Sequence, residues 1–170
     1  MIVISYDGSA DAAAAIDQVA RLVPGAETTV LTVWEPFQLA LTRTGGLGMG
    51  IGGAYPDNGE IDQASEEAAH ARAAEGAQRA MAAGLAAQAR TAVREDGIAT
   101  AILSVADELD ADAIVLGTRG LTGIRSMLLG SVSHAVVQHA DRPVIVVPSP
   151  DIAGARREWI HRRDTADSPA

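Results

Sequence analysis

Short apolar runs alternate with longer stretches of helical periodicity along most of the chain, and this alternation restricts the fold more than any other feature. Ile2 to Tyr6 is a β-branched run that ends in Asp7, Gly8 and Ser9, a cluster suited to a turn and a helix cap. Ala13, Ile16, Val19, Ala20 and Val23 then recur at helical spacing until Pro24 and Gly25 stop them. Glu27 to Trp34 carries Val30, Leu31 and Val33 in a second strand. In the alanine- and glutamate-rich stretch that follows, Ile61, Ala64, Ala68, Ala71, Met81 and Leu85 mark the apolar face of a long helix capped by Asp57 or Asn58. Ala87 to Arg94 is a weaker third strand, and its polarity fits an edge position. Ile98 to Leu109 is helical, with Ile102, Val105, Ala106 and Leu109 on one side. Ala113 to Leu116 and Val144 to Val147 read as strands covered on both faces, with a helix from Val132 to Ala140 between them. Five strands and four helices in alternation predict an α/β fold, a doubly wound five-stranded parallel sheet of order 3-2-1-4-5 with helices on both faces.

Composition narrows what such a sheet can do. At 170 residues with 48% apolar side chains, the chain can form one domain. Its net charge of -9 repels phosphate backbones, so nucleic acid is not an expected partner. Cysteine is absent, which removes disulfides, thiolate nucleophiles and thiolate metal sites. Lysine is absent too, which removes Schiff-base chemistry and the lysine of a Walker A loop. The N-terminus lacks a basic n-region and reaches charge at Asp7, and no apolar stretch approaches the ~20 residues that span a bilayer. A soluble cytoplasmic protein without membrane association is expected.

In a sheet of this order, ligands bind beyond the carboxyl ends of the strands where the order reverses, between strands 1 and 4. Asp7, Gly8 and Ser9 arrive there after strand 1, and a glycine-punctuated segment, Gly117 to Ser133, arrives after strand 4. Glycines 117 and 120 let backbone amides approach an anion and allow a positive φ in the turn. Gly130, Ser131 and Ser133 open the next helix, where unpaired amides and the helix dipole favour negative charge. Together these form a phosphate cradle built without lysine. The plainer alternative is a strand-to-helix connection with glycine at the turns and serine as cap. Asp7 reads either as a cap for the first helix or as a carboxylate that needs a cation or sugar hydroxyl between it and a phosphate. Arg119 and Arg125 either meet the phosphates or sit solvated on the surface.

Gly117-x2-Gly120-x9-Gly130-Ser131 matches the G-x2-G-x9-G-[ST] signature of ATP-binding members of the universal stress protein family. The early Asp7-Gly8-Ser9 and the final run Pro143 to Pro148 also resemble that family, so the resemblance covers about residues 1–150 in three ordered blocks. It implies a nucleotide-binding domain over 1–150 and ATP, with Mg2+, as ligand. By that resemblance Asp7 would meet the ribose or the magnesium, Val33 would lie against adenine, and Ser5 would contact the base through its backbone. Leu116 and Gly117 would line the nucleotide. Gly120, Gly130, Ser131, Val132 and Ser133 would surround ribose and phosphates, with Arg119 beside them. Family members commonly dimerise through the last strand, which here is the apolar Val144 to Val147, so a homodimer is expected.

Two functional classes follow: an ATP-dependent regulator in a stress response, or a slow ATPase or adenylyl- or phosphoryl-transferring enzyme using the same cradle. The first is favoured, because no evident base or nucleophile accompanies the cradle. Gly48, Gly50 and Gly53 satisfy G-x-G-x-x-G, but the stretch runs into Tyr55-Pro56 instead of a helix, so 38–59 is expected to be a loop. His134 and His139 are five apart on one helix and are expected as surface or packing residues and not as ligands, and Asp107, Glu108, Asp110 and Asp112 as a solvated acidic patch. The tail 151–170 departs from the family pattern. Arg156, Arg157, Arg162 and Arg163 around Trp159 and Ile160 allow either a short basic helix or a frayed end.

Overall fold

A computed structural model describes residues 1–37, 39–40, 58–118 and 129–166, of which 58 and 159–166 as backbone alone. The strands are β1 (Ile2–Ser5), β2 (Glu27–Trp34), β3 (Ala86–Val93), β4 (Ala113–Gly117) and β5 (Val144–Val147). The helices are α1 (Ala10–Leu22), α2 (Asn58–Ala82), α3 (Ile98–Glu108), α4 (Ser131–His139) and α5 (Pro150–Ala166). All strand pairs are parallel, in the order β3-β2-β1-β4-β5. The expected doubly wound sheet is therefore present, with its reversal at β1 and β4. Of the two alternatives for the tail, a basic helix and a frayed end, the helix is present as α5.

Register separates two cores. Ile4 pairs with Val30 and Val115, and these side chains meet Ala15, Ile16 and Val19 of α1 and Ala77 and Ala80 of α2. Val3 pairs with Thr29 and Ile114. That opposite face, with Leu31 and Leu116, packs on Ile102, Val105 and Ala106 of α3 and Val136 of α4. Strands buried on both faces need continuous apolar runs, which is why β4 lacks the period-two alternation of a half-exposed sheet; β5, expected to be covered on both faces, is an edge strand with Val144, Ile145 and Val146 only partly buried.

Helix α2 buries a different stripe from the one expected. Ala69, Ala73, Ala77 and Ala80 are buried, whereas Ala64, Ala68 and Ala71 are exposed and Met81 is 51% exposed. In a segment this rich in alanine, periodicity does not choose the face; close approach does. A Cβ on Gly76 would stand 2.7 Å from the Tyr6 ring and 2.8 Å from Val30, so α2 lies directly on the sheet at that point.

Tyr6 is buried beneath α2, and its hydroxyl donates to Glu75 Oε1 at 2.8 Å. Burial first, then the hydrogen bond and charge of Glu75, push the phenol from 10.0 up to about 12. The unfolded chain loses this proton first as pH rises, so fold stability drops between pH about 10 and about 12. Absorbance titration at the phenolate band is expected to show a late-titrating phenol that Tyr6→Phe removes; an unchanged late step in the variant would contradict this.

The acidic cluster around the end of α3 is exposed, as expected, and Asp107, Glu108 and Asp112 are also paired. Arg142 donates to the Ala106 and Ala111 carbonyls at 2.7 and 3.0 Å and pairs with Asp107, closing the C-terminal end of α3. Glu108 pairs with Arg90, and Asp112 with the Met1 ammonium at 2.7 Å. Around Arg142 and Met1 these contacts pin the amino edge of the sheet, opposite the edge where the chain leaves β1 and β4.

Candidate functional site

The carboxyl edge is built from two exits. After β1 the chain turns through Gly8, whose φ of +84° lies in the left-handed region, and enters α1. Ser9 caps that helix, its Oγ accepting from Ala12 N at 3.2 Å. Asp7 Oδ1 accepts from Ser9 N at 3.0 Å, so Asp7 braces the turn while the capping role falls to Ser9. The stem of Arg72 from α2 lies against Gly8, 3.6 Å from where a Cβ would stand.

The exit of β4 is held tightly. A Cβ on Gly117 would stand 2.6 Å from Asp11 Cβ and 2.7 Å from the Asp11 carbonyl carbon. Glycine is needed there because the first turn of α1 packs directly on the end of β4. Gly117 is also absent from the positive-φ residues of the described chain, so a left-handed turn does not account for it. Thr118, 2% exposed, donates its backbone N–H to Val147 O at 2.9 Å and its hydroxyl to the buried Asp11 carboxylate. Its carbonyl accepts from Gly130 N at 2.7 Å and from Ser133 Oγ at 3.0 Å.

That last pair places the start of α4 beside the end of β4. Gly130 is the N-cap, in extended conformation at φ -69° and ψ 158°, and no side chain among the described residues caps the helix. The amides of Ser131, Val132 and Ser133 occupy the first turn, where a helix leaves N–H groups without intrahelical partners. Unlike α1, α2 and α5, α4 carries no acidic side chain in its first turn, and α3, which also lacks one, follows Glu95 and Asp96 directly. The positive end of α4 is thus left uncompensated in a chain of net charge -9. Ser131 is exposed, whereas Ser133 is buried and its hydroxyl bonds the Thr118 and Gly130 carbonyls. Ser133 is thereby a brace between the two elements.

Register brings three further residues together. Ser5 pairs with Leu31 and, one step beyond the Ile4 and Val115 pair, comes level with Leu116. Ser5, Val33 and Leu116 therefore share the sheet face covered by α3 and α4, near its carboxyl edge. The Leu116 side chain is 3% exposed within that core. Arg119, Gly120 and Arg125 lie outside the described residues, as do most of the 38–59 loop and Asp57. His134 and His139 are exposed, as expected, and among the described residues no cluster of three or more His, Asp or Glu could hold a metal by itself. A single carboxylate such as Asp7 suits Mg2+ that arrives with its phosphates. Sequence reasoning missed Thr118 and Asp11. A threonine inside a glycine loop and an aspartate in a first helical turn both look like ordinary local choices; only tertiary contact joins them.

The model of the universal stress protein family matches residues 1–148. A universal stress protein of Thermus aquaticus is 34% identical over 157 residues, which cover 86% of this chain and 96% of that protein. Universal stress protein MJ0531 of Methanocaldococcus jannaschii is 46% identical over 52 residues, and there the match spans only 31% of each chain. Among solved structures, MJ0577 superposes with TM-score 0.67 at 22% identity, covering 86% of this chain and 94% of the other. The universal stress protein from Archaeoglobus fulgidus in complex with dAMP superposes with TM-score 0.53 at 25% identity, covering 86% and 95%. With a family match that takes in both exits of the carboxyl edge and the strand beyond them, this chain belongs to the universal stress protein family.

Proposed function

We propose that this chain is an ATP-binding regulatory protein of the cytoplasm, acting in a stress response. The observation that carries this is the uncapped start of α4, held against the end of β4 at the point where the strand order reverses. Amides of Ser131, Val132 and Ser133 receive the phosphates, the Ser131 hydroxyl adds a donor, and Arg119 and Gly120 complete the loop. Asp7 meets the ribose or the Mg2+ that accompanies the phosphates. Ser5, Val33 and Leu116 line the adenine end, with Gly117 beside them. The dAMP complex of the Archaeoglobus relative supports an adenine nucleotide as the ligand class. Calorimetric titration of nucleotide-stripped protein with ATP is expected to give saturable one-to-one binding; absence of heat would contradict the proposal. ADP or AMP accumulating in the cell, at a rate above a contaminant control, would instead favour a transferase or ATPase.

We also propose a homodimer through β5, whose four apolar residues form the sheet edge away from β3. Light scattering that finds monomer alone at micromolar concentration would contradict it. Among the described residues no helix is long and apolar enough to cross a membrane.

A further inference from the structure

We propose that Thr118 and Asp11 position the start of α4, their buried hydrogen bond fixing where β4 ends and, through the Thr118 carbonyl, where α4 begins. The inference rests on the nucleotide reading above for its link to binding, while its structural part stands independently.

Thr118 joins three elements. Its amide is tied to Val147 at the end of β5, its hydroxyl to Asp11 in the first turn of α1, and its carbonyl to Gly130 and Ser133 at the start of α4. The end of β4 and the start of α4 therefore stand at one place, with the Gly130 amide 2.7 Å from the Thr118 carbonyl. A phosphate site made from helix-start amides depends on where that helix starts. Thr118 sets this, and Asp11 sets Thr118: both are buried, at 2% and 7% exposure, so water does not compete for the bond. Asp11 also lies in the first turn of α1, where the helix dipole favours its charge. Gly117 brings that turn close enough for the bond to form.

Packing and positioning make opposite predictions for two substitutions. Valine keeps the shape of threonine and loses the hydroxyl; serine keeps the hydroxyl and loses the methyl. If Thr118 only fills space, Thr118→Val should outperform Thr118→Ser. If its hydrogen bond positions the start of α4, the order reverses. A hydrogen bond to a charged group of this kind corresponds to about tenfold or more in an equilibrium.

The test uses the full chain in three forms, wild type, Thr118→Val and Thr118→Ser, with two readouts. Hydrogen exchange at the Gly130 amide, without nucleotide, is expected to speed up about tenfold in Thr118→Val and to stay near wild type in Thr118→Ser. Calorimetry with ATP is expected to show about tenfold weaker binding for the valine variant, with serine restoring it. Gly130 exchange unchanged in Thr118→Val, or valine binding ATP as well as serine, would overturn the proposal. Should the wild type bind no ATP, the nucleotide reading fails, and Gly130 exchange alone still decides the positioning role. If Thr118→Val does not fold, Asp11→Ala removes the same bond from its other end and is read by the same exchange experiment.

Discussion

Ser131→Glu is expected to weaken ATP binding by about 100-fold while leaving the melting temperature unchanged or slightly raised. Ser131 is exposed at the first position of α4, so its replacement disturbs no packing. A glutamate there complements the helix dipole and by itself stabilises the helix, by about 0.3–1 kcal/mol. Toward a polyphosphate it does the opposite. Two unit charges about 4 Å apart near a protein surface repel by about 4 kcal/mol, and solvent screening at this exposed site brings that down toward the 100-fold expected. Stability and affinity thus move in opposite directions, which general damage to the fold cannot produce. Calorimetry paired with thermal melts reads both. ATP binding at wild-type strength to a folded Ser131→Glu protein would mean that the phosphates do not lie at α4.

Gly117→Val is expected to act on the fold first, lowering stability by about 3 kcal/mol and the melting temperature by about 10 °C. The new Cβ would meet Asp11 Cβ at 2.6 Å and the Asp11 and Ala12 backbone at 2.7 and 2.9 Å. Backbone cannot give way as a flexible side chain can, so α1 must shift off the sheet. The first glycine of the family signature is in this way a helix-packing glycine. Urea unfolding measures the effect; a midpoint equal to wild type would show that α1 does not pack on β4 as described.

The sheet was legible because its strands announce themselves. The runs at 2–6, 27–34, 113–116 and 144–147 are β-branched and apolar, and the helical stretches between them leave a right-handed parallel arrangement as the simplest connection. The alanine-rich α2 was legible as a helix but not in its buried face. Alanines at 64, 68 and 71 and those at 69, 73 and 77 are chemically alike, and Gly76 under Tyr6 decides between them only in three dimensions. At the site, spacing located the start of α4 and the turn after β1, because glycine and serine at helix starts are local signals. The partners of those residues were not local. Thr118 finds Asp11 across more than a hundred residues of chain, and Ser133 looks like a donor to ligand until its hydroxyl is seen on the Thr118 carbonyl. The same holds for Asp107, whose partner Arg142 comes from the far side of α4.

Backbone amide resonances of Ser131, Val132 and Ser133 followed during titration with ATP test the central claim most directly. They are expected to move together and saturate with the calorimetric isotherm, while adenosine without phosphate leaves them nearly in place. ATP binding that shifts other amides and leaves these three unmoved would contradict the account.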